Sequence, residues 1–388
     1  MSTGDREVDR VLGGGLVAGE VVLLAGEPGV GKSTLVLQMM GAIAAAGTRV
    51  LLATGEESLA QVGLRAERLG INRLSIAALA ETSLPAVLRA CATEVPGLLV
   101  VDSIQTTEDP ELEQPPGSVV QVRECAAALA RHAKKTNTPV VLVGHVTKEG
   151  TVAGPRVLEH LVDAVLSLEG NRSASLRLLR ASKNRFGSCE ETGVFVMGKS
   201  GLEIVPDPSS LLLEDRSAGV AGSVVFPGLE GSRPVLVELQ ALVASSELPQ
   251  PRRVALGLDA RRLSMLTGVL EKTGLKLGRR DLFVSAAGGL TVREPAADLA
   301  LCLAIQSAAH DVAVDDRTVA IAEVGLGGEL RRAPGVERRL SEAARLGFRR
   351  AIVPSKTVVE GCDIELLHAA GLRDAFPMAL GGSARQSS

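Results

Sequence analysis

Short runs of consecutive apolar residues alternate with longer amphipathic stretches through the first half of the chain. The runs 21–25, 50–53, 98–101 and 140–143 are apolar throughout and too short for helices, so they predict strands. Stretches 34–46, 58–69 and 119–136 predict helices, the first two stopped by Gly47 and Gly70. Apolar strands set between helices indicate a parallel sheet buried on both faces. The expected fold of the first half is therefore α/β with a doubly wound sheet. The pattern changes at Pro206-Asp207-Pro208-Ser209-Ser210, and 218–223 is again rich in Gly, Ser and Ala. Beyond it, strands are expected at 235–239 and 282–285 and helices at 296–307 and 336–346, an α+β mixture. The expected organisation is a first domain over 1–210, a linker over 211–223, a second domain over 224–380 and a disordered tail over 381–388.

Length supports two domains, because 388 residues exceed one ordinary core. Hydrophobic residues make up 46% and charged residues 22%, a globular balance that excludes a mainly disordered chain. Aromatic content is only 2%, with six Phe and neither Trp nor Tyr. The cores must be built from Leu, Val, Ile and Ala, and platforms that stack on bases are disfavoured. A net charge of −3 gives no global field to steer the chain to nucleic acid, so any such contact must be local. No apolar run approaches the length of a membrane span. Met1-Ser2-Thr3-Gly4-Asp5-Arg6 lacks the apolar core of a signal peptide. The cysteines Cys91, Cys125, Cys189, Cys302 and Cys362 are scattered and form no C-x-x-C. The expectation is a cytoplasmic protein with reduced thiols, no zinc and no membrane contact.

Gly26-Glu27-Pro28-Gly29-Val30-Gly31-Lys32-Ser33 fits G-x-x-x-x-G-K-[ST], and Thr34 opens the following helix. The glycines let backbone N–H groups wrap a phosphate. Lys32 is expected to reach the β- and γ-phosphates of ATP, and Ser33 to hold Mg²⁺. The helix turns its positive N-terminus to the anion. Asp102 closes the strand at 98–101 and is the expected second Mg²⁺ ligand. Glu56 and Glu57 follow the second strand, where a carboxylate can orient the attacking water. Glu56 comes sooner and is preferred; Glu57 could instead be a helix N-terminal charge. His145 ends the fourth strand, as a γ-phosphate sensor or as a structural histidine. The loop behind it carries Lys148 and Arg156, which could contact a phosphate backbone or stay solvated.

Several stretches together resemble the bacterial RadA (Sms) family over nearly the whole chain. They are Gly13-Gly14-Gly15-Leu16, the P-loop, Gly144-His145-Val146-Thr147-Lys148-Glu149-Gly150, the run Gly154-Pro155-Arg156-Val157-Leu158-Glu159-His160, and Lys183-Asn184-Arg185-Phe186-Gly187. The resemblance implies a RecA-like ATPase active as a hexameric ring on single-stranded and branched DNA. It implies branch migration in recombinational repair and contact with the RecA recombinase. That family usually begins with a four-cysteine zinc finger, for which this chain has no cysteines. Lys183 and Arg185, two residues apart on a strand, project from one face. Such paired cations suit a γ-phosphate offered by a neighbouring subunit, and are expected to be catalytic there.

The second half resembles the proteolytic domain of Lon. Arg293-Glu294-Pro295-Ala296-Ala297-Asp298-Leu299 matches the segment of Lon's nucleophile and places Ala296 at the serine. Pro334-Gly335-Val336-Glu337-Arg338-Arg339 matches the lysine's segment and places Glu337 there. Neither residue can serve a Ser–Lys dyad, so the domain reads as a scaffold. Segment 252–280 carries Arg252, Arg253, Arg261, Arg262, Lys272, Lys276, Arg279 and Arg280 against Asp259 and Glu271. It is a candidate footprint for a phosphate backbone or a basic face at a subunit boundary. The expected function is a DNA-dependent ATPase motor. The alternatives are a nucleotide-switched binding protein and, against Ala296 and Glu337, an ATP-dependent protease.

Overall fold

A computed structural model describes residues 1–72, 75–145, 158–170 and 176–380. The chain divides into two compact units, Met1–Pro206 and Asp207–Ser388.

In the first unit, β1 (Val21–Gly26), β2 (Val50–Thr54), β3 (Ile76–Ala80), β4 (Leu98–Asp102), β5 (Val140–His145) and β6 (Ala164–Glu169) run parallel. An antiparallel extension follows: β7 (Leu176–Asn184), β8 (Thr192–Gly198) and β9 (Gly201–Ile204). Among the described residues the sheet has nine strands in the order β3-β2-β4-β5-β1-β6-β7-β8-β9. The central strands are buried on both faces, as their unbroken apolar runs require. Helices α1 (Arg6–Leu12), α2 (Lys32–Ala45) and α3 (Leu59–Arg68) cover one face. Helices α4 (Leu84–Glu94) and α5 (Val119–Thr136) cover the other. The expected strands and helices are present within a few residues of their expected bounds. The antiparallel extension was not anticipated.

Register decides where the chemistry can sit. Gly26 lies opposite His145 and Leu168, Thr54 opposite Asp102, and Asp102 opposite Val143. The carboxyl ends of β1, β2, β4 and β5 therefore finish together, which is where ligands bind in open α/β sheets.

The second unit carries a mixed sheet, among the described residues seven-stranded. Its strands are β10 (Ser223–Glu230), β11 (Arg233–Ser245), β12 (Arg253–Leu256), β13 (Arg280–Ala286), β14 (Thr318–Ala320), β17 (Arg350–Pro354) and β18 (Glu365–Ala369). Their order is β12-β13-β11-β10-β14-β17-β18, and β15 (Glu323–Val324) pairs separately with β16 (Leu330–Arg331). The helix Asp298–His310 is buried along nearly its whole length. A helix over Ala260–Lys272 and another over Val336–Arg345 flank it in sequence. The segment expected as a linker begins inside a helix, Pro208–Leu213. Ser209 of that helix is fully buried, donating to Glu342 at 2.6 Å and accepting from the Leu236 N–H at 3.2 Å. The tail at 381–388 lies outside the described residues.

Candidate nucleotide-hydrolysis site

The phosphate loop connects β1 to α2, and its conformation depends on glycine. Gly31 has φ +120°, and a Cβ there would meet Met197 Cε at 2.7 Å. Gly31 is also the N-cap of α2 and offers no side chain to the first-turn N–H groups. Those donors are left to the loop's ligand. Lys32 is 4% exposed. Its Nζ donates to the carbonyls of Gly26 at 2.9 Å and Glu27 at 3.1 Å, and lies 3.1 Å from His145 Nδ1. Burial lowers the lysine's pKa, while Asp102 and Glu56 oppose that shift.

His145 links the lysine to a carboxylate. Its Nε2 stands 2.8 Å from Glu56 Oε1. A lysine ammonium has three protons and no acceptor. With two on carbonyls and the third on Nδ1, the imidazole must carry its own proton on Nε2 and donate it to Glu56. That bond, with Lys32 nearby, holds the Glu56 carboxyl down at about 2 against the effect of burial. Glu57 pairs with Arg65 beside the same site. Asp102 is 7% exposed, and burial raises its pKa while the Ser33 hydroxyl opposes the rise. Its Oδ1 is buried with no hydrogen-bond partner among the described residues. Ser33 and Asp102 line one small cavity together with Thr54 and Glu57. An orphaned buried carboxylate oxygen beside a hydroxyl fits a hard divalent cation such as Mg²⁺.

The structure does not bring Lys183 and Arg185 to this site. Asn184 faces Ala164, while Gly26 faces Leu168 further along β6. At about 3.3 Å per residue, the pair lies more than ~10 Å from the phosphate loop, at the other end of the sheet. Both cations turn to one stretch of chain. Lys183 Nζ donates to the carbonyls of Glu159 and of Val162, the latter at 2.8 Å. Arg185 Nη1 donates to Asp163 Oδ1 at 2.9 Å, with the arginine side chain 52% exposed. Between them, Asn184 donates to the carbonyls of Val11 and Leu12, and a Cβ on Gly13 would meet Gly187 Cα at 2.9 Å. The two glycine-bearing stretches singled out in the sequence thus pack on each other. Lys148 and Arg156 lie outside the described residues.

In the second unit Ala296 is buried and Glu337 is exposed. An ion pair between buried Arg339 and partly exposed Glu294 occupies this region instead. Arg339, 1% exposed, grips Glu294 with both terminal nitrogens and donates to the Pro227 carbonyl at 2.8 Å. The basic segment divides by geometry. Arg262 is held by Asp298, Arg253 caps the carbonyls of Arg252, Leu277 and Arg280, and Arg280 donates to the Ala309 carbonyl. These three arginines, expected to face DNA, each donate to partners within the chain. Arg252, Arg261, Lys276 and Arg279 are exposed.

Two residues of the first unit escaped the sequence reading. Arg177 interrupts the apolar run of β7 and is buried. Gln105 lies beyond β4 and donates to the His145 carbonyl at 3.4 Å. Only the charge between Leu176 and Leu178 at Arg177 was a visible signal.

Residues 2–151 match the family described as AAA domain, and residues 265–357 match that described as subunit ChlI of Mg-chelatase. Two solved structures are similar to part of the chain. A KaiC-like protein from Pyrococcus horikoshii has TM-score 0.44 and 21% identity, covering 53% of this chain and 98% of its own. The RadB recombinase has TM-score 0.42 and 23% identity, covering 53% and 99%. Among the described residues, no helix is long and apolar enough to cross a membrane. A phosphate loop between β1 and α2 of a mostly parallel sheet, with Asp102 closing β4, defines a P-loop protein of RecA-like α/β fold. The DNA repair protein RadA of Halalkalibacterium halodurans is 46% identical over 98% of this chain and 84% of its own length. That of Bacillus subtilis is 47% identical over 97% and 83%, and that of Aquifex aeolicus 45% over 97% and 84%. The chain belongs to this RadA family of DNA repair proteins.

Proposed function

We propose that the chain is a DNA-dependent ATPase that works as a hexameric ring motor on single-stranded DNA. Its task on this reading is branch migration of recombination intermediates. The observation that carries the reading is the hydrogen-bonded chain from Lys32 through His145 to Glu56. Lys32 must leave His145 when it turns to the β- and γ-phosphates of ATP. His145 is then free to move, and with it the hydrogen bond that most depresses Glu56. The carboxylate's basicity rises as that donor departs, which suits a group that orients and deprotonates water. Mg²⁺, held by Ser33 and Asp102, would neutralise charge on the phosphates. A pure binding switch has no use for a carboxylate tuned in this way, so hydrolysis is favoured over the switch.

Lys183 and Arg185 act on a neighbour's nucleotide in this scheme, because they lie far from their own phosphate loop. DNA contact falls to the exposed Arg252, Arg261, Lys276 and Arg279, and to Lys148 and Arg156. The second unit serves as a Lon-like scaffold without protease chemistry, since neither Ala296 nor Glu337 can act in a Ser–Lys dyad. Contact with the RecA recombinase and a cytoplasmic setting follow from the family resemblance. The test is steady-state ATP hydrolysis by the whole chain with and without single-stranded DNA. DNA should stimulate wild type, while Glu56→Gln should bind ATP and barely turn it over. Full hydrolysis by Glu56→Gln would remove the carboxylate from the mechanism.

A further inference from the structure

Arg177 is 5% exposed on β7. Its Nε donates to the carbonyl of Val30 at 3.1 Å and its Nη1 to the carbonyl of Leu176 at 2.8 Å. Val30 immediately precedes Gly31 at the crest of the phosphate loop. The same antiparallel extension holds the loop from its other side. A Cβ on Gly31 would meet Met197 of β8 at 2.7 Å and Leu202 of β9 at 3.5 Å. Gln38 of α2 donates to the Leu202 carbonyl at 3.0 Å and accepts from the Leu202 N–H at 2.9 Å.

The Val30 carbonyl and the Gly31 N–H belong to one planar peptide group. In a trans peptide they point in opposite directions. A hydrogen bond that fixes the oxygen therefore also aims the N–H. We propose that Arg177 is a positioning residue for nucleotide chemistry: it anchors the Val30–Gly31 peptide so that the Gly31 N–H faces the phosphates. The proposal rests on hydrolysis at the phosphate loop. Without the guanidinium, the Val30 oxygen is buried and unpaired, and the peptide gains a reason to rotate. Lysine at 177 would keep one donor but lose the fork that spans two carbonyls. Gly170 offers a second handle, since it is exposed and an added Cβ would come within 2.6 Å of Arg177 Cδ. Gly170→Ala displaces the arginine instead of deleting it, and at φ +156°, with the Leu176 carbonyl 2.8 Å from the added Cβ, it also strains the backbone that carries it.

The experiment compares Arg177→Met, Arg177→Lys and Gly170→Ala in the whole chain. It measures ATP affinity by fluorescence, kcat and KM by phosphate release, and folding by circular dichroism. Arg177→Met should lower kcat per bound nucleotide by ~100-fold, the scale of a misplaced reacting geometry. KM should change far less. Arg177→Lys should recover much of the loss, and Gly170→Ala should show a smaller loss of the same kind. Wild-type kcat in folded Arg177→Met overturns the proposal, as does an Arg177→Lys variant no better than Met. If Arg177→Met does not fold, the Lys and Gly170→Ala variants decide the matter between them. Lys32→Ala runs in parallel. Wild-type hydrolysis by that variant would overturn the phosphate-loop reading, and this proposal with it. Normal dependence on Lys32 beside an indifferent Arg177 would overturn the proposal alone.

Discussion

Lys32 donates to three protein acceptors, one of them His145, which joins it to Glu56. On the proposed mechanism ATP exchanges with these bonds, and the exchange reaches Glu56. Lys32→Ala removes the cation that bridges the phosphates, and ATP turnover should fall by ~100-fold or more in a phosphate-release assay. Glu56 also predicts a pH dependence of stability. Its carboxyl is depressed in the folded chain from 4.5 to about 2. The ionised form is therefore favoured by folding, so its contribution is complete above 4.5 and fades as pH falls toward about 2. Thermal melts should show wild type more stable than Glu56→Gln at neutral pH, with the gap closing through that acid window. A gap independent of pH would mean that the bond to His145 does not stabilise the fold. Lys32 and Ser33 were legible from the phosphate-loop spacing, and Glu56, Asp102 and His145 because each sits at or just past the end of an apolar run. Arg177 was not, since its role depends on a strand pairing far away in the chain that local pattern does not encode.

The parallel strands were legible for the same reason: a strand buried on both faces has no polar position to obscure it. β7 was not read as an apolar run because Arg177, Arg180 and Lys183 interrupt it. The helix Pro208–Leu213 was missed because its Pro and Ser read as a linker, although Asp207 caps it through the Ser210 N–H. In the second unit the segments singled out for their place in a Ser–Lys dyad hold the Arg339–Glu294 pair. Removing Arg339 leaves Glu294, 26% exposed, to be compensated only in part by water. Arg339→Met should destabilise the second unit by about 2 kcal/mol, read as a lower denaturant midpoint of the whole chain. Pairing it with Glu294→Gln should recover part of the loss. An unchanged midpoint in the single variant would show that water replaces the arginine at no cost.

For the whole molecule, the proposed scaffold role of the second unit predicts no protease chemistry, since Ala296 and Glu337 supply neither a nucleophile nor an amine base. Serine-reactive fluorophosphonate probes should leave the chain unlabelled, and ATP should not drive cleavage of unfolded protein. A labelled peptide mapped to the second unit would overturn the scaffold reading. In the proposed ring, one subunit's Lys183 and Arg185 serve the nucleotide of the next, and mixed rings probe that sharing. Arg185→Ala subunits keep an intact phosphate loop, and Lys32→Ala subunits keep an intact basic pair. Each alone should bind DNA and hydrolyse ATP poorly. Mixed in equal amounts, with mixed rings verified by native mass spectrometry, they create interfaces where an intact loop meets an intact pair. The account predicts that DNA-stimulated hydrolysis returns in the mixture well above either variant alone. Verified mixed rings that hydrolyse no faster than the separate variants would contradict it.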